Sequence, residues 1–420
     1  MNRSKEERNV LDFEDPGVLP NELMAVPGFV NELKDYTLAT SPRPNEPLAF
    51  AGALAMLAHL SGRSYRDIRG TRTNLYLAAL APSGMGKERP RDVNKLLAAA
   101  AGCAVGVPDS VASGEGLEEA VAAHPSLLLQ CDEADTLLTA LRGNDGRNSR
   151  LNEMLLRFFS ESSSSHVVRL KAADKGVAPV ILNPHLTLFA TGIPKFFYAA
   201  LNAQALENGL LGRCLFIEVD GFCPHGEMKD MALPPRLVDT ARVLAAREKA
   251  IAETGVVTPV YVGESPDGQC KIAELFNSCD DVTRQLMDFD LGTAAALYAR
   301  IPEKAIKCAM LWAISEDPEA PRITADAVIW GTKFVSHITN RMLYMSQFYV
   351  AEGKFDCLKK RFMHLLAKHG GRLDHSTLLK RLPVDASLFR KLVETLLMSD
   401  LIESEELSNG KHGYILKGAA

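Results

Sequence analysis

The stretch NLYLAALAPSGMGKERPRD, Asn74–Asp92, carries the reading of the fold. An apolar run of strand character, LYLAALA, breaks into a turn of small residues, and the turn ends in Gly86-Lys87 before a helical stretch, ERPRDVNKLLAAAAG. A strand, a glycine-containing turn and a helix in that order gather backbone N–H groups and a helix N-terminus around one point, which suits a polyphosphate. Gly84 and Gly86 let the backbone turn its amides inward, and Lys87 reaches the β- and γ-phosphates. Pro82, Ser83, Gly84, Met85, Gly86, Lys87 and Glu88 are therefore the expected nucleotide-binding residues. Two positions depart from the usual G-x-x-x-x-G-K-[ST] spacing: Ala81 replaces the first glycine, and Glu88 replaces the hydroxyl residue that ligates Mg²⁺. A strand-to-helix turn with no ligand is the bland alternative for this segment taken alone.

Working outward, SLLLQCDEAD, Ser126–Asp135, is a buried-strand run that ends in adjacent carboxylates. At the end of a strand downstream of a phosphate loop, Asp132 organises a Mg²⁺ shell and Glu133 polarises the attacking water. Asp132 and Glu88 are the expected metal residues, and a strand ending in solvated acids is the alternative. The letters D-E-A-D do not make a DEAD-box helicase, because the chain has no S-A-T-like partner motif and its last part leaves no room for a second helicase domain. HLTLFATGIP, His185–Pro194, ends in Thr191, placed to sense the γ-phosphate or the lytic water; a threonine at a strand end with no such role is the alternative. NGLLGRCLFIE, Asn208–Glu218, puts Arg213 just before another strand, where it is a candidate arginine finger for a neighbouring subunit's site; a structural salt bridge is the alternative.

Composition sets the frame for these motifs. The chain has 420 residues, 47% hydrophobic and 24% charged, which places it among globular proteins with one large domain and a smaller one, or two of moderate size. A net charge of -5 argues against a uniformly basic coat for nucleic acid. The eight cysteines are scattered with no C-x-x-C pair, the start is polar, and the longest early apolar run, PLAFAGALAMLAHLSG, is short and Ala-rich. Free, mostly buried thiols, a cytoplasmic location and no membrane span are expected.

Periodicity divides the chain into a flexible tail (1–25), a helical N-terminal collar (26–70), a phosphate-loop core (71–232) in which short apolar runs alternate with helices, a mostly helical extension (233–352) and a last part (353–420). VVTPVYVGE in the extension is a possible strand pair. The last part reads as three helices followed by two strand-like runs around Asn409-Gly410, a winged helix-turn-helix. From Lys354 onward it holds 12 Lys/Arg against 8 Asp/Glu, reversing the sign of the whole chain. Its third helix would present Ser387, Arg390 and Lys391 to a groove, with Lys411 and His412 on the wing. Protein binding is the alternative there, since Glu403, Glu405 and Glu406 share the hairpin.

Two further stretches are candidates for DNA contact. HVVRLKAADKGVAPVIL, His166–Leu182, reads as two strands joined by a turn carrying Lys171 and Lys175; an inserted hairpin there would meet phosphates in a ring channel, and a solvated hairpin is the equal alternative. LRGNDGRNSR offers Arg142, Arg147 and Arg150, where a solvated loop is the plainer reading. Arg300 and Lys304 are candidates for a second phosphate sensor, with a helix-surface ion network as the alternative.

Taken in order, VPGFVNEL, APSGMGKERPR, LLLQCDEAD, LTLFATGIP and GLLGRCLF resemble the YfjI-like domain-of-unknown-function family of P-loop ATPases, found in phages, plasmids and integrated elements and often beside primase modules. The resemblance covers roughly Val26 to Glu218. It implies a RecA/AAA+-like P-loop NTPase core, ATP and Mg²⁺ as cofactors, and a homo-oligomeric ring such as a hexamer. It further implies replicative helicase or translocase activity on DNA, with a primase as a possible partner. An acidic residue and a Pro-Arg after Gly-Lys are not unusual in that family, which favours a working site despite Glu88. A nucleotide-switched initiator or helicase loader, and a degenerate ATPase acting as a scaffold, are the rival readings.

Overall fold

The computed structural model describes residues 13–103, 111, 113–132, 134, 146–169, 178–200, 209–219, 221–349, 354–382, 384–406 and 412–417. The chain divides into two compact units, one made of Asp15–Ala200 with Gln204–Arg341, the other including Met342–Ala420. The boundary falls within the helix Ala325–Tyr349.

The larger unit opens with α1 (Phe29–Ala39) and α2 (Glu46–Ser61). Asn45 caps α2 by accepting the Leu48 N–H at 3.3 Å, and Pro47 sits in the first turn, where no intrahelical N–H is lost. From Leu48 to Ser61 every residue of α2 is buried, so this Ala-rich helix is apolar all round because it runs through the interior. Among the described residues no helix is long and apolar enough to cross a membrane. Seven described cysteines are free, and Cys131, Cys214, Cys279 and Cys308 are buried.

After a short strand β1 (Tyr65–Arg66) come β2 (Tyr76–Leu80), α3 (Glu88–Ala101), α4 (Gly114–Ala123) and β3 (Ser126–Cys131). The helix Gly146–Ser160, β4 (Ser165–Val167), β5 (Val180–Leu182), β6 (His185–Gly192), the helices Pro194–Ala200 and Leu210–Arg213, and β7 (Cys214–Glu218) follow. The serine-rich stretch after Ser160 is a turn of 3-10 helix, Glu161–Ser163, leading into β4. Strands β3, β6, β2 and β7 form one parallel sheet in that order. Their side chains are almost all buried on both faces, which explains why they read as continuous apolar runs and not as alternating ones. β4 and β5 form a separate antiparallel pair with Val167 opposite Val180.

The remainder of this unit is helical, with Pro235–Thr254, Pro266–Asp288, Gly292–Tyr298 and Ile301–Glu316. VVTPVYVGE does supply two strands, β8 (Val260–Tyr261) and β9 (Gly263–Glu264), but they do not pair with each other. Only Val262 separates them, which leaves no room for a turn. β8 runs parallel to β1, and β9 runs parallel to β10 (Arg322–Ile323).

In the second unit the helix Lys354–Lys368 precedes β11 (Arg372–Asp374), the helices His375–Arg381 and Ala386–Met398, β12 (Ile402–Glu406) and β13 (His412–Leu416). Asp374 and Asp385 cap the two middle helices through the N–H groups of Thr377 and Leu388. The three strands form an antiparallel sheet ordered β11-β13-β12 over a core that includes Phe362, Leu378, Phe389, Leu392 and Tyr414. β11, Arg-Leu-Asp, is too short to show any alternation and was not expected from the sequence.

Candidate nucleotide site

The C-terminal edge of the parallel sheet gathers the loop after β2, Asp132 after β3 and Thr191 near the end of β6. The loop leaves the sheet with Ala81 fully buried and its N–H bonded to the Gly192 carbonyl at 2.9 Å. Gly84 and Gly86 have φ of +76° and +82°, a region that favours glycine, and Met85 between them turns its side chain inward. Gly86 also lies against the collar: a Cβ there would stand 2.8 Å from the Arg43 carbonyl oxygen. Pro82 and Lys87 are half-buried, whereas Ser83, Gly84 and Glu88 are exposed. Lys87 is the N-cap of α3 and Glu88 its first residue, so the loop delivers the chain directly into a helix N-terminus.

The placement of α3 follows from three contacts. Gly52 on α2 leaves space for Pro90, since a Cβ on Gly52 would approach the Pro90 Cβ to 2.6 Å. Buried Asn94 donates to the Gly52 carbonyl and to the Gln130 side chain, both at 3.1 Å. Gln130 in turn donates to the Arg91 carbonyl at 3.4 Å, which ties α3 to β3. Arg91, one turn beyond Lys87, is buried, and its guanidinium pairs with the Asp132 carboxylate at 3.0 Å. The other Asp132 oxygen accepts the Thr191 hydroxyl at 2.8 Å. Asp132 itself stays about half exposed, with 49% of its side chain open. Arg91 received no role from the sequence. Its signal is an arginine four residues after the loop lysine, on the same helix face.

The loop is braced from outside the sheet by the segment after β7. The Cys223 N–H meets the Met85 sulfur at 3.3 Å, Arg43 donates to the Cys223 carbonyl at 2.7 Å, and the Gly226 N–H bonds the Pro42 carbonyl at 3.0 Å.

Arg213 lies at the other end of the sheet, before β7, whose first residue Cys214 is level with Tyr76 at the start of β2. Its guanidinium donates to the Gly209 carbonyl at 2.9 Å and to the Ser160 hydroxyl at 3.4 Å, and lies 5.8 Å from the Phe159 ring centre. Burial, and after it the charge of Arg300, lowers the Arg213 pKa from its ordinary value. Lys304 is buried against the Cys214 carbonyl at this same edge, away from the loop after β2, and Arg300 pairs with Glu303 at 3.3 Å. Neither stands beside its own chain's loop, so the second-sensor expectation finds no support in this placement.

Glu133, Lys171, Lys175, Arg142 and Lys411 lie outside the described residues, as does the side chain of Arg147. Arg150 pairs with Glu118 and Glu153 at 3.3 and 2.9 Å. The base of the β4–β5 hairpin is fixed by His166, fully buried, whose ring nitrogens lie 2.7 Å from Glu161 and 2.8 Å from Glu118. In the second unit Ser387, Arg390 and Lys391 are exposed on the helix Ala386–Met398, and His412 is exposed at the start of β13. Among the described residues no group of three or more His, Cys, Asp or Glu side chains could hold a metal ion by itself. No protein-family model matches the chain, and no curated protein matches it.

Proposed function

We propose that the larger unit is a P-loop ATPase and that ATP hydrolysis drives the chain along DNA as a helicase or translocase in replication of a mobile element. The observation that carries this reading is the order β3-β6-β2-β7. The Thr191 strand lies between the strand of the loop and the strand of Asp132, and Thr191 bonds Asp132 across the gap. Three chemically distinct groups, namely loop amides, a hydroxyl and a carboxylate, thereby meet at one edge, which is what positioning a phosphoryl group for transfer needs.

In this mechanism the backbone N–H groups around Gly84 and Gly86 and the N-terminus of α3 hold the phosphates, and Lys87 balances their charge. Thr191 and Arg91 orient Asp132, and Glu133 takes the proton of the attacking water. Asp132 and Glu88 would hold Mg²⁺. Both are hard oxygen donors open to solvent. When bound, the ion neutralises charge on the β- and γ-phosphates. Arg213, remote from its own loop, completes a neighbour's site in a head-to-tail ring.

The second unit supports the DNA part. Three helices and a three-stranded sheet in this order fit a winged helix, with Arg390 and Lys391 on the exposed helix. A nucleotide-switched initiator is the second reading, favoured by the Arg91–Asp132 pair, which occupies the carboxylate that hydrolysis needs. ATP hydrolysis measured with and without single-stranded DNA, on a preparation shown to be assembled, separates the two. DNA-stimulated turnover lost in Lys87→Ala and Glu133→Gln supports the motor. ATP binding without turnover in the unaltered chain sinks it and leaves the switch.

A further inference from the structure

Beside the phosphate loop lies an open cleft of about 340 Å³, whose lining includes Val18, Leu19, Pro44, Val219, Phe222 and Pro224. Its walls are the segments that brace the loop. Cys223 bonds Met85, and Arg43 bonds Cys223 while its carbonyl crowds Gly86. The cleft therefore opens one contact away from the loop, through Cys223, which lines it and bonds Met85.

The chemistry of the lining is unusual for a surface. Phe222 is 74% exposed, a large ring held at the rim with the Arg43 guanidinium 5.6 Å from its centre. Around it stand prolines and aliphatic side chains. Three polar side chains of the lining are committed elsewhere: Asn45 caps α2, Glu46 pairs with Lys34 at 2.9 Å, and Glu218 pairs with Arg341 at 3.0 Å, while Asn21 is exposed. A cleft lined mainly by aliphatic side chains and prolines, with an exposed aromatic ring at hand, recognises a planar ring system chiefly by stacking and contact area.

We propose that this cleft takes the nucleobase of the bound nucleotide, with Phe222 as its stacking platform and purines favoured over pyrimidines by contact area. The assignment rests on the phosphate-loop reading above. It also gives the collar a function: Arg43 and Pro44 join the base side of the site to the phosphate side, so that an occupied cleft stiffens the loop.

Calorimetric titration of the full chain with ATP, CTP and inorganic tripolyphosphate tests it. The variants are Phe222→Ala and Val18→Trp, both at exposed positions, with Lys87→Ala beside them. Loss of one stacked base is expected to weaken ATP about tenfold in Phe222→Ala while tripolyphosphate stays within about twofold. Val18→Trp, which fills the cleft, should weaken ATP in the same way, and the unaltered chain should bind CTP more weakly than ATP. Lys87→Ala should weaken all three ligands. Unchanged ATP affinity in Phe222→Ala and Val18→Trp overturns the base assignment and leaves the loop reading intact. Equal loss of tripolyphosphate and ATP in Phe222→Ala also overturns it, since the ring then acts only through Arg43 on the loop. Failure of the unaltered chain to bind either ATP or tripolyphosphate removes the loop reading and the base assignment together.

Discussion

Arg91 stands one helical turn beyond Lys87 and pairs with Asp132 at 3.0 Å, so a single face of α3 touches both the loop and the carboxylate at the end of β3. The pair fixes the carboxylate and, in the proposed mechanism, would compete with a metal for it. Arg91→Gln removes the charge and shortens the side chain while keeping an N–H donor. If Arg91 positions Asp132, turnover should fall roughly 10- to 100-fold, the usual cost of losing a partner of a metal-holding group, with ATP affinity little changed. If Arg91 holds the site closed, the same variant should turn over faster and reach half-saturation at lower Mg²⁺. A titration of hydrolysis against Mg²⁺ at fixed ATP reads both.

Gly84 and Gly86 share a positive φ but differ in surroundings. A Cβ on Gly84 meets nothing within 4 Å, whereas one on Gly86 meets the Arg43 carbonyl oxygen at 2.8 Å. Gly84→Ala should cost about 1–2 kcal/mol of backbone strain alone. Gly86→Ala should cost roughly 1–3 kcal/mol and also push the loop off the collar, with loss of nucleotide binding. Denaturant midpoints and ATP titrations of the two variants, side by side, separate strain from loop displacement. Equal behaviour of the two would show that the Arg43 contact has no bearing on the loop.

The parts of the site that lie within one strand end were legible in the sequence. Ala81–Lys87, Asp132 and Thr191 each sit where an apolar run stops, and a parallel sheet brings such ends to one edge. Arg91 was not legible, because its partner is chosen by how closely α3 approaches β3, and that depends on Gly52, Pro90, Asn94 and Gln130 acting together. The cleft at Phe222 needed the collar and the segment after β7 to meet, which no local pattern announces. VVTPVYVGE shows the same limit: its strand character was visible, but its partners β1 and β10 are set by the tertiary fold. Lys304 misled in the opposite direction, since helical spacing suggested a surface network and the residue is buried.

Lys304 and Lys307 are fully buried one turn apart, and burial lowers each pKa from 10.5 to about 8. The folded state therefore binds fewer protons than the unfolded chain between about pH 8 and pH 10.5. Stability should rise with pH as that window is entered, and the penalty of burying the charges is fully present below it. Cys214 and Cys308, with thiols pushed up from 9.0 to about 12, act with the opposite sign above pH 9, so the rise should be clearest between pH 8 and 9. Thermal melts of the unaltered chain and Lys307→Met check this. The variant should show a shallower rise over that interval, and an identical slope would mean that Lys307 does not titrate there. Lys307 also bonds the Asn74 side chain and lies 4.6 Å from the Phe159 ring centre, so Lys307→Met need not be more stable overall.

His166 ties the β4–β5 hairpin to the body of the larger unit through Glu118 on α4 and Glu161. Glu118 is nearly buried and also accepts from Arg150 and from the Arg169 N–H. His166→Ala should destabilise by roughly 3 kcal/mol, because it leaves a carboxylate short of a partner inside the protein. If the hairpin that carries Lys171 and Lys175 grips DNA, the same variant should lose stimulation by single-stranded DNA at temperatures where it is folded, while DNA-free hydrolysis persists. Retained stimulation would remove the hairpin from the DNA path.

Arg213 is the strongest test of assembly, because its position at the far edge of the sheet excludes it from its own chain's loop. Its pKa is lowered by burial and by Arg300, so a phosphate brought by a neighbour would relieve an unfavourably placed cation. Arg213→Ala and Lys87→Ala should each be inactive alone. Mixed in equal amounts and allowed to reassemble, they form some interfaces that combine an intact loop from one subunit with an intact arginine from the next. Random mixing in a head-to-tail ring makes these roughly a quarter of all interfaces, and hydrolysis should recover toward that fraction. A mixture as inactive as its components, in rings shown by sizing to have exchanged subunits, would assign Arg213 to the Gly209–Ser160 contact alone. Turnover in Arg213→Ala by itself would do the same.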